Sequence, residues 1–342
     1  MKVAVVVAAA LLAVASVASA AMRSYEGEQV LRVRVLNKEQ YAKLNDFIEA
    51  NLLDEWAANA HKRVSLLFFP PPFPFLSSSN RGCAQFVDVR MHKSKIPALE
   101  TLGLKYTVHI DNLQALVDEE QARLAKRVVP TKIRALPEFF DDYHTYEEID
   151  EFWQDLAASY PDIVNYITIG ETYEGRPITG VKIGARGATK GAFFNGGQHA
   201  REWISNPTVQ GIAYNLASLY YANDTEVVEF VDNIEFTIVA PLNPDGFVYT
   251  WSDDRLWRKN REPNAGAICI GVDTNRNWGY KWGTGGSSNQ PCSDTYMGPS
   301  AMSSYEPQAV DAYLKSRLSA GIDVLSYIDF HAYSRTWLFL IY

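Results

Sequence analysis

The chain has 342 residues, enough for about two domains and a sizeable core. Its net charge of −8 argues against nucleic acid as a partner, and its composition is that of an ordinary globular protein.

Lys2, the apolar run from Val3 to Val17 and then Ala18-Ser19-Ala20 read as a secretory signal cleaved after Ala20. The run is shorter than the ~20 residues a membrane span needs, so the expected product is secreted, with no membrane partner. Three cysteines are then expected in an oxidising compartment. Cys269 and Cys292 enclose a Gly-, Asn- and Trp-rich loop and read as a disulfide, which leaves Cys83 unpaired. Asn223-Asp224-Thr225 is a glycosylation sequon.

Val30 to Leu36 alternates polar and apolar residues as a half-buried strand does. Residues 38–53 place Tyr41, Leu44, Ile48 and Leu52 on one helical face. Strands at 86–89 and 105–110 flank a short helix at 96–102. Asp111 is expected to cap a helix running to Lys126, with Leu113, Leu116, Val117 and Leu124 inward. This alternation predicts a small α+β domain of split βαβ type. Residues 64–85 do not fit it. Four prolines among phenylalanines exclude a helix or a central strand there, and the segment reads as an insertion. Its Phe, Pro, Leu and Ser are what a pyrimidine-rich tract encodes, as a retained intron would.

Basic residues from Arg123 to Arg134 then read as a site for a trypsin-like protease, with Arg134 the best bond. That divides the chain into a signal at 1–20, a first domain at 21–134 and a second at 135–342. In the second, Thr145 and Glu148 form a capping box for a helix at 145–159. Strands at 163–169, 178–183, 192–195, 233–242 and 324–330 alternate with helices at 203–221 and 305–318. Buried strands alternating with helices predict an α/β fold with a largely parallel sheet, and catalytic groups at strand ends.

His199 and Glu202 follow one strand, after Gly196 and Gly197, whose missing Cβ atoms let the backbone pass close to a metal or ligand. Alone, the pair also reads as a surface histidine near the start of a helix. His331 ends a second strand in Asp329-Phe330-His331, and completes a His₂Glu set with one position left for water. Asp273 is placed to accept from the far nitrogen of a ligating histidine. Two arginine clusters, at 255–261 and at Asn275-Arg276, suit capture of a carboxylate and stabilisation of charge on a carbonyl oxygen.

Taken in order, His199-Ala-Arg201-Glu202, Arg255-Leu-Trp-Arg258-Lys, Asp273-Thr-Asn275-Arg276-Asn277-Trp278 and His331-Ala-Tyr333 resemble the zinc metallocarboxypeptidases of the digestive A/B type. The resemblance covers nearly everything from the signal onward except the Pro/Phe segment. It implies an inhibitory pro-domain of ferredoxin-like form, before a carboxypeptidase-like α/β domain with a mixed, largely parallel sheet. It implies one Zn²⁺ on His199, Glu202 and His331, with Asp273 behind the first histidine. Arg258 would polarise the scissile carbonyl, Asn275 and Arg276 would bind the substrate's terminal carboxylate, and Arg201, Arg255 and Tyr333 would line outer peptide subsites. Cys269 and Cys292 match the family disulfide. The partners implied are peptide C-termini and an activating trypsin-like protease, with the protein a monomer.

In that family about a hundred more residues follow the second histidine, and they carry the glutamate general base, the capping tyrosine and the side-chain pocket. The expectation for the chain as printed is therefore a truncated zymogen with little or no activity. The rivals are a non-catalytic secreted zinc- or peptide-binding fragment, including a pro-domain inhibitor, and a zinc hydrolase of small acids. The signal, the first domain and the basic cleavage region argue against the last.

Overall fold

The computed structural model describes residues 22–58, 85–127, 138–185 and 187–332. Cys83, Arg134, Tyr333, the signal and nearly all of the Pro/Phe segment lie outside them. Among the described residues no helix is long and apolar enough to cross a membrane.

The N-terminal unit runs β1 (Glu28–Val35), α1 (Lys38–Asn51), β2 (Asp54–Ala58), β3 (Gln85–His92), α2 (Ile96–Glu100), β4 (Lys105–Ile110) and α3 (Leu113–Leu124). Its four strands lie in the order β2-β3-β1-β4, all antiparallel, which is the arrangement of a split βαβ sandwich. One apolar face packs on the helices, with Leu31, Val33, Leu44, Val87, Val89 and Leu99 fully buried. Three local expectations change. Asn112, not Asp111, caps α3, accepting from the Ala115 amide at 3.1 Å. Leu116 is exposed, because Leu113, Val117 and Leu124 already fill the buried stripe. Leu52 leaves the helical face altogether: it is the left-handed residue that ends α1, and is exposed.

The second unit runs α4 (Tyr146–Ser159), β5 (Val164–Glu171), β6 (Pro177–Ile183), β7 (Lys190–Gly196), α5 (Ser205–Tyr221), α6 (Thr225–Asn233), β8 (Ile234–Val239), α7 (Pro244–Ser252), α8 (Tyr305–Ser319) and β9 (Asp323–Phe330). The sheet order is β5-β6-β8-β7-β9. The first two pairings are antiparallel and the last two parallel, so the sheet is mixed. Both faces of the inner strands β6, β8 and β7 are covered, hence their near-continuous apolar runs, while the edge strand β9 leaves Leu325 and Tyr327 exposed. One core joins α4 and α5 to the sheet around Phe152, Trp153 and Val209; the other seats α8 through Val310 against Phe193 and Val239. Trp153 is fully buried and its indole donates to the Ala240 carbonyl at 2.9 Å, so its one polar atom is satisfied. The capping box of Thr145 and Glu148 is present. The helices at α6 and α7 went unforeseen. Asn243-Pro244-Asp245-Gly246 reads as a turn, but Asn243 caps the helix that Pro244 opens.

One buried carboxyl makes the fold's stability depend on pH. Glu306 is 1% exposed, and one of its oxygens finds no protein partner. Burial first, and then the charges of Glu262 and Asp245, push its pKa up to about 8. The folded state therefore holds a proton that the unfolded chain has released by pH 5. Stability falls as pH rises from about 4.5 to about 8. Glu306→Gln, which takes up no proton, is expected to remove this loss. Unfolding free energies from urea titration should match the parent at pH 5 and exceed it at pH 9 by on the order of 1–3 kcal/mol.

Candidate metal centre and its surroundings

β7 and β9 are parallel neighbours, with Asn195 paired to Asp329 and Gly196 to Phe330. Their C-terminal ends therefore open on the same side of the sheet, where open α/β sheets place their ligands. His199 lies three residues past the first of these ends, and His331 directly past the second. The loop that carries His199 folds back tightly: the Glu202 amide bonds the His199 carbonyl, and the Ala200 amide bonds the Arg258 carbonyl. Gly196 and Gly197 have a role other than the expected approach to a metal. A Cβ on Gly196 would meet the Ser205 carbonyl at 2.5 Å; one on Gly197 would meet Asn206 Oδ1 at 2.4 Å, at a φ of +71°. They admit the start of α5 against the strand end. Gly197→Ala is expected to cost about 2–4 kcal/mol from strain and overlap, read as a lowered melting midpoint.

Three donors converge between the strand ends. His199 Nδ1 is 2.7 Å from Glu202 Oε1, His331 Nδ1 is 2.9 Å from Glu202 Oε2, and the two Nδ1 atoms are 3.1 Å apart. Ligand atoms on a tetrahedral zinc sit roughly 3.3–3.4 Å from one another. The group needs about 0.2–0.7 Å of expansion across its three contacts to match. Two facing imidazole nitrogens also cannot both be donors to each other, whereas two lone pairs and a carboxylate suit one cation. His199, Glu202 and His331 are the group of described residues that could hold a metal ion.

Asp273 stands behind His199, completely buried, and takes His199 Nε2 at 3.2 Å. Its other oxygen accepts from Arg258 Nε and Nη2, at 3.0 and 2.8 Å. Burial would raise the Asp273 carboxyl, but the charges of Arg258 and His199 hold it well below the usual range. Glu202 behaves alike: burial opposes ionisation, and His199 and His331 outweigh it. For His331 burial works downward, yet Asp329 and Glu202 push its pKa up to about 10. Arg258 is thereby aimed past the ligands, with Nη1 3.9 Å from Glu202. Asn275 reaches His331 Nε2 at 3.3 Å, and Arg276 is braced through Nε to the Gly286 carbonyl at 2.6 Å. Cys269 and Cys292 are bonded, closing a loop that contains Asp273, Asn275 and Arg276.

The remaining two arginines are engaged by the N-terminal unit. Arg201 makes a two-pronged pair with Asp54 of β2, at 2.6 and 2.9 Å. Arg255 pairs with Glu120 of α3 through Nε and through Nη2, the latter at 3.0 Å, and lies 3.6 Å from the centre of the Trp203 ring. Burial raises the Asp54 carboxyl, but Arg201 and Arg90 outweigh it and keep it ionised. Asp54, Glu120 and Asp329 carried no expectation. Asp54 and Glu120 gave no local signal, since each is an ordinary acidic residue in a strand or a helix. Asp329 was visible in Asp329-Phe330-His331, two residues before a candidate ligand.

Residues 149–342 match the zinc carboxypeptidase family. Human carboxypeptidase A1 is 33% identical over 323 residues, spanning 92% of this chain and 70% of that protein. The inactive metallocarboxypeptidase ecm14 of Talaromyces stipitatus is 29% identical, with 92% of this chain covered and 53% of that protein. Among solved structures, carboxypeptidase A from Helicoverpa armigera superposes with a TM-score of 0.73 at 29% identity, covering 90% of this chain and 70% of that one. The chain belongs to the zinc carboxypeptidase family, and its fold is the carboxypeptidase-like α/β fold.

Proposed function

We propose that His199, Glu202 and His331 hold one zinc ion in a secreted carboxypeptidase zymogen that acts on peptide C-termini, with residues 21–134 as its inhibitory pro-domain. The observation that carries the reading is the convergence of three ligand atoms within 4.8 Å at two strand ends. When bound, zinc would activate a water and polarise the scissile carbonyl. The chain's own residues supply the rest. Arg258, fixed by Asp273, offers a guanidinium to the carbonyl oxygen as it gains charge. Asn275 and Arg276 capture the terminal carboxylate and so set which peptide bond lies at the metal. Arg201, Arg255 and Tyr333 hold the preceding residues of the substrate. One equivalent of zinc on the purified chain supports the reading; none at micromolar metal refutes it.

The zymogen part rests on Asp54 and Glu120. Both put a carboxylate on an arginine meant for peptide, so substrate and the N-terminal unit compete for the same cations. The Asp54→Ala, Glu120→Ala double variant is expected to weaken docking of residues 21–134 on the rest by about 10²–10³-fold. Titration of the separated segments by calorimetry after cleavage at Arg134 by trypsin reads this directly. An unchanged affinity would assign inhibition elsewhere.

A second, non-catalytic reading has one observation in its favour. Among the described residues, Glu202, Asp273 and Asp329 are the carboxylates that touch the two histidines, and each is already committed to a histidine, an arginine or an asparagine. None stands free as a general base. The similar ecm14 protein is itself described as inactive. We therefore propose that the described residues bind zinc and peptide ends but hydrolyse slowly. A blocked dipeptide should turn over about 10²–10⁴-fold below a chain with a free base.

A further inference from the structure

None of the roles above uses Asp329. One of its oxygens lies 2.5 Å from His331 Nε2, and the other accepts from Asn195 Nδ2 at 2.6 Å. Asn195 is its partner in the parallel ladder, on the strand that leads into His199. The arrangement mirrors the one behind His199, where Asp273 takes Nε2 and Nδ1 faces Glu202. The two histidines differ in how firmly the surroundings hold them. The His199 side chain is 5% exposed and that of His331 29%, so packing alone fixes the first ring far better than the second.

His331 also has two competing neighbours at the same nitrogen. The Asp329 carboxylate can only accept, and favours a proton on Nε2. The Asn275 amide nitrogen, 3.3 Å away, can only donate, and favours a bare Nε2 with the proton on Nδ1. Nδ1 faces Glu202 and His199, so a proton there points into the space the metal needs. The shorter, charge-assisted bond to Asp329 wins this competition.

We propose that Asp329 is a positioning residue for the metal: it keeps a proton on His331 Nε2, so that Nδ1 is the nitrogen that yields its place to zinc, and ties that orientation through Asn195 to the strand bearing the other histidine. The proposal rests on the zinc reading of His199, Glu202 and His331. Its chemistry is general, since carboxylates behind metal-bound histidines fix tautomer and raise ligand basicity.

The test uses the full chain, with zinc affinity measured by competition against a chromogenic chelator at pH 7.5. Asp329→Ala is expected to weaken zinc binding roughly 10–100-fold. Asp329→Asn keeps a carbonyl that can accept from Nε2–H, so its loss should be intermediate. The metal-free melting midpoint is the control for a merely structural role. Graded loss of affinity with an unchanged midpoint in the Asn variant supports the proposal. Affinity within twofold of the parent in both variants would overturn it, as would equal losses that merely track lowered melting midpoints. Should the unaltered chain bind no zinc, the zinc reading itself falls and this assignment with it.

Discussion

His199→Ala is expected to take the chain from one bound zinc to none at micromolar metal. The physical basis is the share of one ligand in the site. Structural zinc sites with four ligands gain about 10–16 kcal/mol, so a single ligand is worth roughly 10²–10³-fold in affinity. The loss here should sit at the upper end, because His199 does more than ligate. Its ring lies between Asp273 and Glu202, and the residue is buried. Removing it leaves two buried carboxylates facing an empty volume, with Arg258, Arg276 and His331 as the nearby cations. Metal content after dialysis, measured by plasma emission, checks the result. Retention of one equivalent would remove His199 from the ligand set.

Asp273→Ala should be the most damaging change to stability near the site. The carboxylate is completely buried and is the shared partner of His199 and Arg258. Its loss leaves the largely buried Arg258 guanidinium with the longer 3.9 Å contact to Glu202 in place of the close, two-pronged bond to Asp273. Breaking a buried pair in this way costs about 3–5 kcal/mol. The pH dependence follows from the sign of the shift. The folded-state pKa is depressed, so the stabilisation is present above the unfolded value near 3.8 and fades as pH falls below it. Urea unfolding of the metal-free protein should therefore show the full penalty at pH 7 and a shrinking one below about pH 4. A penalty under about 1 kcal/mol at pH 7 would mean that water replaces the carboxylate at Arg258.

How much of this was legible in the sequence varied with the range of the interaction. Helices with a local signature were plain: Thr145 and Glu148 satisfy each other three residues apart, and the pattern of Ile149, Phe152, Trp153 and Leu156 repeats one buried face. Elements whose signature conflicts with a stronger local cue were not. Pro244 and Gly246 read as a turn, yet Asn243 and the tertiary packing of Phe247 make them the first turn of α7. Leu52 matched the helical period but fell one residue past the last turn, where periodicity carries no information. At the site, the three candidate ligands and Asp273 were readable because strand ends concentrate such groups and the residue types are few. Asp54 and Glu120 were not, since their significance lies in Arg201 and Arg255, 147 and 135 residues away. No local pattern encodes a contact of that span.

The parallel pairing of β7 with β9 has a consequence in time as well as in space. His199 and His331 are 132 residues apart in the chain. At ~5–20 residues per second on the ribosome, the second histidine emerges roughly 7–26 s after the first. During that interval the nascent chain offers a cation only His199 and Glu202, a two-toothed and weak claw. On the proposed ligand set, metal loading is thus a late event in the life of the molecule. Until β9 arrives, the ion cannot act as a folding template, and the strands before it must find their order by packing alone.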